Sequence, residues 1–462
     1  MTTDYDNAAV GWHLQTAGVE TVLGPGDADF DAVLIGFNVH IRHRPDAVVV
    51  ARNEDDVVRT VRTAAVLGTT VTAIGHGHGF TAGVQGGVAI VTEGLAGVEV
   101  DRDARTATIG AGTSWDGVLD AATPLGLAPL CGSAPGVGVV GYLLGGGLSP
   151  ISRTFGYAAD HVRSFRVVTG TGDLVIASPE ENPDLFWALR GGKGGLGVVT
   201  EVTIDLFPLP IVQAGGFFFD GSDAAAVVHA FAEWARVLPE SVSTSLALLR
   251  LPPLPEVPEP IRGRTVVHVR VAVVGDAEAA EEAVAPIRAA AEPVMEMFGA
   301  MPFSEIGMVH NDPDQPMPVV EGGRLLRTFD RDTVDALLAV AGPERQVPLA
   351  AVEIRVLGGA LSRPPTVPNA VGGRDAGYSL HVVGAPVPEL LDSVVPAVID
   401  GVFAAVEPWS TGSSQVNFFG RANDPESLAA CWPSGIAERL GRIRDAYDPR
   451  GVFPYAGHSV RD

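Results

Sequence analysis

The chain has almost no lysine. Lys193 is the one lysine among 31 basic residues. Chemistry that rests on a lysine amine, such as a Schiff base or a Walker-type phosphate clamp, therefore has a single residue to use. In GGKGG that lysine lacks the following Ser or Thr and the upstream glycine spacing of such a clamp. It reads as a solvated side chain on a tight turn. Cysteine is nearly as scarce: Cys131 and Cys431 lie 300 positions apart and make no zinc ribbon, redox CxxC pair or disulfide framework. Positive charge is also short. With 55 acidic and 31 basic residues the net charge is −24, which argues against nucleic acid or anionic lipid as a partner, because both need clustered Lys and Arg. No run of about 18 uncharged apolar residues occurs, so no membrane span is expected. The opening MTTDYDNAAVGW has neither the basic nor the apolar stretch of a signal peptide. A cytoplasmic location is the expectation.

What remains is apolar and rich in glycine. Hydrophobic residues make up 46% of 462 and glycine contributes 56. That is enough for two large or three smaller cores. PDAVVVAR (Pro45 to Arg52) is a short β-branched run, hence a strand. Asn53 is a natural N-cap for the helix that follows, and Glu54, Asp55 and Asp56 favour its positive end. Val57, Val58, Val61, Ala64 and Ala65 form one apolar stripe, and Gly68 is the stop. Thr69 to Ile74 then reads as a buried strand. This β-α-β opening predicts an α/β or α+β fold. Further strands are expected at Val88–Val91, Thr106–Ile109, Phe165–Thr169 and the following LVIA.

The glycines concentrate in two loops, Gly75–Gly83 and Gly132–Gly147. Closely spaced backbone N–H groups in such loops can hold a diphosphate without lysine. Gly136, Gly138 and Gly141 satisfy GxGxxG literally, and Asp160 lies about 20 residues on. The motif nevertheless lies outside any βαβ unit. The following YLLGGGLSP, with three glycines and a proline, is not expected to continue as a stable helix. A nicotinamide-dependent Rossmann enzyme is therefore a distant alternative.

Four separated segments in a fixed order resemble the FAD-linked oxidases of the vanillyl-alcohol-oxidase type, with a PCMH-type FAD-binding domain. The nearest branch is that of the berberine-bridge-enzyme-like proteins and bacterial hydroxynicotine oxidases. The segments are RPDAVVVARNEDDVVRTVRTAAVLGTTVTAIGHGHGFTAG, GLAPLCGSAPGVGVVGYLLGGGLSPISRTFGYAADHV, DLFWALRGGKGGLGVVTEV, and QVNFFG with ERLGRIRDAYDPRGVF. The resemblance runs from about Arg42 to Val460. It implies an α+β protein of two domains. The FAD-binding domain would comprise 1–210 with a C-terminal return at 406–462. A substrate domain, 211–405, would be an antiparallel sheet covered by helices.

The resemblance also implies roles for single residues. His78 falls at the histidine that bonds to the flavin, with His76 where the family more often has glycine. The second, cysteine anchor of some members is replaced here by Ala134, and Cys131 is three residues away. Attachment through His78 alone is therefore expected. Gly75, Gly77, Gly79, Gly136, Gly138 and Gly141 would cradle the diphosphate, with Phe80, Pro135 and Val139 in the same loops. Tyr142, Gly145 and Gly146 would lie beside the ring and ribityl chain, although Tyr142 reads equally well as a core tyrosine. Val199 and Asn417 match positions that approach the cofactor. Gln415 stands where many members carry a tyrosine base, and an amide cannot be one. His310, Glu353, Tyr378 and His381 are further candidates for proton transfer. In VEIRV, Glu353 and Arg355 share a face. In YSLHVV, Tyr378, Leu380 and Val382 share one, with His381 opposite. HNDPDQP (His310 to Pro316) reads as a turn, and no metal is expected.

The implied activity is transfer of hydride from a C–H next to O or N of a small molecule to FAD, with oxygen as acceptor. A dehydrogenase that excludes oxygen and a non-redox cyclase using the flavin as a scaffold remain open. Monomer or homodimer is expected. The preference for Arg over Lys and the Ala/Val/Gly-rich composition suggest a bacterial enzyme of secondary metabolism or catabolism.

Overall fold

The computed structural model describes residues 3–420 and 428–454. The stretches 421–427 and 455–462, including the end of the resemblance at Val460, lie outside the described residues. The opening strand, helix and strand are found at Ala47–Val50, Glu54–Leu67 and Val71–Ile74. The Asn53 side chain accepts from the Asp56 N–H at 2.9 Å, and Gly68 closes the helix in the left-handed region at φ 69°. Val57, Val61 and Ala64 are completely buried. Each such valine contributes about 1.5–3 kcal/mol of apolar burial. They press the helix onto a four-stranded sheet in which Ala47–Val50, Val88–Val91 and Val71–Ile74 run parallel. The chain end returns to this sheet: Val71 N–H donates to the Val452 carbonyl, and Val452 and Phe453 join its core.

A second sheet is antiparallel and five-stranded, in the order 98–101, 106–110, 198–205, 162–168, 174–177. The third is larger, with eight strands between Ile211 and Gly384, all paired antiparallel. Helices Ala224–Ala235, Ala277–Arg288, Arg331–Ala341 and Val394–Val406 cover one of its faces and bury Leu246, Leu248, Ile354, Leu380 and Val382. The alternate residues of the same strands point to the opposite face, toward the glycine loops. The fold is α+β. Among the described residues no helix is long and apolar enough to cross a membrane.

One local expectation is corrected. A six-residue helix, Val139–Leu144, does follow GVG, with Gly138 as its N-cap and Gly145 as its C-cap. It is short enough that the glycines bound it rather than break it. Val139 and Leu143 are fully buried and anchor it to the core.

Candidate cofactor site

The two glycine loops meet. A Cβ on Gly138 would come 2.8 Å from His76 Nδ1, so only glycine lets the second loop approach the first this closely. Gly77, at φ 74°, packs against Gly36 in the same manner, and the Phe37 N–H donates to the His76 carbonyl. His78 stacks on the Phe37 ring, with centroids 4.1 Å apart, and Phe80 meets His43 edge-on. Gly36, Phe37 and His43 thus belong to the site. Gly36 and Phe37 precede the segments singled out in the sequence, and no motif marked any of the three.

The second loop is ordered by its own backbone. Val137 N–H bonds to Ala134, Asp116 N–H to Pro135, and Val139 N–H to Thr113. Gly141 is exposed, with no protein atom within 4 Å of where a Cβ would be. Gly75, Gly79 and Gly136 are likewise exposed. Gly145 is close to Asn417, whose Oδ1 would lie 1.9 Å from an added Cβ, and Gly146 adopts φ 103°. Val199 is buried in the five-stranded sheet opposite Val167.

Asn417 joins the 139–144 helix to an unexpected partner. Its Nδ2 donates to the Tyr142 carbonyl at 2.9 Å, and its Oδ1 accepts from Lys193 Nζ at 2.7 Å. Lys193 is therefore not the solvated turn residue that its sequence context suggests. Burial pulls its ammonium down to about 8. Tyr142 and Gln415 each make a hydrogen bond within the protein. The Tyr142 hydroxyl donates to the Leu130 carbonyl while its ring packs edge-on against Trp115, and burial pushes the phenol well up. That geometry is of a core tyrosine. Gln415 is buried and donates to the Tyr157 hydroxyl at 2.9 Å. Asp160, at the spacing of a ribose-binding acid, is used by Arg374 and Asn369.

The histidines and cysteines differ in readiness. Desolvation, reinforced by neighbouring His76, holds His78 down to about 4, so its imidazole is neutral and nucleophilic at pH 7. Both thiols are pushed up to about 12 by burial and stay protonated. His76 Nδ1 is buried without a hydrogen-bond partner.

Opposite the loops, the exposed-sheet face carries a buried polar cluster. Glu353 accepts from Arg270 at 2.7 Å, Arg355 at 2.9 Å and Ser245 at 2.8 Å. The two guanidinium groups hold its carboxyl well below the usual range against the opposing cost of burial. His310 lies 3.6 Å from Glu353, too far for a hydrogen bond, and neither ring nitrogen has a partner. Arg355 lies over the Phe418 ring and reaches Ser133, while His381 meets Phe418 edge-on and pairs with Glu321. His310, Glu353 and His381 are thus brought together on this face. Tyr378 is not: it faces the helices, against Phe329. Among the described residues no group of three or more His, Cys, Asp or Glu is placed to hold a metal.

Known proteins fit this geometry. Residues 45–178 match the family model described as FAD binding domain. An FAD-dependent monooxygenase of Fusarium proliferatum is 36% identical over 208 residues, 44% of this chain and 40% of its own. The (R)-6-hydroxynicotine oxidase of Paenarthrobacter nicotinovorans is 32% identical over 199 residues, 42% of this chain and 43% of its own. The matches thus span less than half the length of these relatives. Among solved structures, the BBE-like 1 protein of Physcomitrella patens superposes with a TM-score of 0.83 at 19% identity, over 98% of this chain and 99% of that one. The 6-hydroxy-D-nicotine oxidase of Arthrobacter nicotinovorans gives 0.81 at 23%, over 95% and 97%. Residues 45–178 are therefore similar to the FAD binding domain family. The chain as a whole has the fold of these flavin-linked proteins.

The residues present fit that cofactor. Gly141 is open, the loops present their backbone, the buried His76 nitrogen lacks a partner, and the His78 imidazole is neutral, a set that can receive a nucleotide and a bond to its flavin.

Proposed function

We propose that the protein is an FAD-dependent oxidase of a small organic molecule, an alcohol, amine or sugar-like compound. The observation that carries this reading is the convergence of His78, the two glycine loops, Asn417 and Lys193 on one side with the Arg270–Glu353–Arg355–His310 face on the other. Bound FAD would supply a two-electron acceptor for the substrate C–H and pass the electrons on to oxygen. The protein would supply position and proton handling. Gly75, Gly77, Gly79, Gly136, Gly138 and Gly141 would hold the diphosphate and Asn417 the ring. The flavin would be bonded through His78 alone, since Ala134 has no nucleophile and Cys131 is a buried, protonated thiol.

An amine can lose hydride without a strong base, and Gln415, tied to Tyr157, is not one. An alcohol would pass its proton to His310, whose imidazole burial keeps neutral and whose nitrogens are free. The FAD part would comprise 1–210 with 406–462, and the substrate part 211–405, where the large sheet begins at Ile211. A cytoplasmic monomer or homodimer serving secondary metabolism is the accompanying reading.

The test is direct. Purified protein should be yellow, and the colour should stay with the protein after acid precipitation. In the His78→Ala variant it should be released to the supernatant, and in Cys131→Ala it should be retained. A flavin-bearing peptide that lacks residue 78 would refute single attachment, and a colourless preparation that takes up no FAD would refute the cofactor reading.

A further inference from the structure

Lys193 holds a backbone conformation that a residue with a side chain rarely adopts, at φ 62°. Gly192, Gly194 and Gly195 flank it, and glycine would adopt the same conformation freely. A turn lysine in solvent has no need of such strain. Strain of this kind persists where the surroundings impose it and clusters at functional sites.

The strained backbone delivers an amine to a specific place. The Lys193 N–H is fixed to the Leu144 carbonyl at 2.8 Å. Its Nζ donates to Asn417 Oδ1 at 2.7 Å and to the Gly141 carbonyl at 3.2 Å. A Cβ on Gly79, next to His78, would come 3.4 Å from it. The amine thus touches the histidine loop, the 139–144 helix and the C-terminal motif together. All of its acceptors are neutral, and among the described residues no carboxylate forms an ion pair with it. A cation withdrawn from water without a counter-charge is costly and is normally paired. At about 8 its pKa still leaves it mostly protonated at pH 7.

We propose that Lys193 is the counter-charge for an anionic group of the bound FAD, and that this chain's single lysine is kept at a strained position for that purpose. The inference rests on the FAD reading above. Two groups of FAD share the required chemistry: the diphosphate, and the pyrimidine edge of the ring, which becomes negative on reduction. Lys193 acts on either one as a positioning and charge-stabilising residue.

The experiment compares wild type, Lys193→Gly and Lys193→Arg. Lys193→Gly removes the amine and relieves the backbone, so the apoprotein should melt at the same temperature or higher. If the ring is the partner, sulfite affinity of the oxidised flavin should fall about tenfold in Lys193→Gly. The midpoint potential should drop by about 30 mV, the two-electron equivalent of tenfold. Lys193→Arg should recover most of both. If the diphosphate is the partner, the potential should stay constant and FAD should bind about tenfold more weakly. That affinity is measured in the His78→Ala background, where the flavin can exchange. Unchanged potential, sulfite affinity and FAD affinity together would overturn the proposal. So would a marked loss of apoprotein stability in Lys193→Gly, which would make the lysine structural. Failure of wild type to hold any flavin would instead sink the FAD reading itself.

Discussion

Glu353 and Arg270 form an ion pair of 2.7 Å whose side chains are each only 6% exposed. The two sit two register rows apart and so share a face of the large sheet, with Ser245 opposite both Arg270 and Arg355. Glu353 thus holds two guanidinium groups in place and neutralises only one. Replacing it with glutamine would remove the carboxylate that both guanidinium groups contact and leave Asp312 as the nearby acid. Glu353→Gln should destabilise the protein by about 3–5 kcal/mol, read as a lower urea midpoint with an unchanged slope. Because the carboxyl is held below its ordinary range, its contribution is present at neutral pH and lost as acid protonates it. The gap between wild type and variant should therefore narrow on acidification. A variant as stable as wild type at pH 7 would show that water, not protein, solvates this cluster.

Gly141 separates cofactor binding from folding. It lies inside the 139–144 helix, where alanine is favoured over glycine by about 0.5–1 kcal/mol, and no protein atom would touch the added methyl. Gly141→Ala should raise apoprotein stability slightly. If the open space beside it receives the diphosphate, the same change should weaken FAD uptake at least tenfold. Unaltered uptake would remove Gly141 from the cradle. Gly77→Ala is the contrasting control: at φ 74°, with Gly36 Cα 2.4 Å from the new methyl, it should harm folding and uptake together.

Much of the fold was legible because its signals are local. The Asn53 cap, the Val57–Val61–Ala64 stripe and the Gly68 stop each follow from backbone hydrogen bonding and burial within a few residues. The period-two pattern of VEIRV correctly put Glu353 and Arg355 on one face, and that of YSLHVV put His381 away from Tyr378. Candidate site residues were legible only where a motif drew attention to them, as in GHGHG and QVNFFG. Lys193 was misread because its meaning comes from Asn417, 224 positions later. Phe37 was missed because a ring that stacks on His78 leaves no spacing pattern. Tyr142 was undecided in the sequence because its hydroxyl partner, the Leu130 carbonyl, leaves no motif. The 139–144 helix was missed because tertiary burial of Val139 and Leu143 outweighs the poor propensity of its glycine-rich surroundings.

His78 gives a pH test of covalent attachment. Its imidazole must be neutral to attack, and burial beside His76 holds its pKa down to about 4 against an ordinary 6.5. Mixing apoprotein with FAD and following acid-stable colour should therefore show a rate that stays flat from pH 8 down to about 5, and declines only as the pH approaches 4. An exposed histidine would already have lost half its reactive form at pH 6.5. The same shift fixes the sign for stability. The unfolded chain takes up the proton below 6.5 and the folded apoprotein does so only near 4, so the contribution is full above 6.5 and lost across that window. His78→Gln should reduce the fall in the apoprotein's urea midpoint between pH 6.5 and 4. A covalent incorporation rate that halves near pH 6.5 would mean that the imidazole meets FAD while still in water, before the two glycine loops close around it.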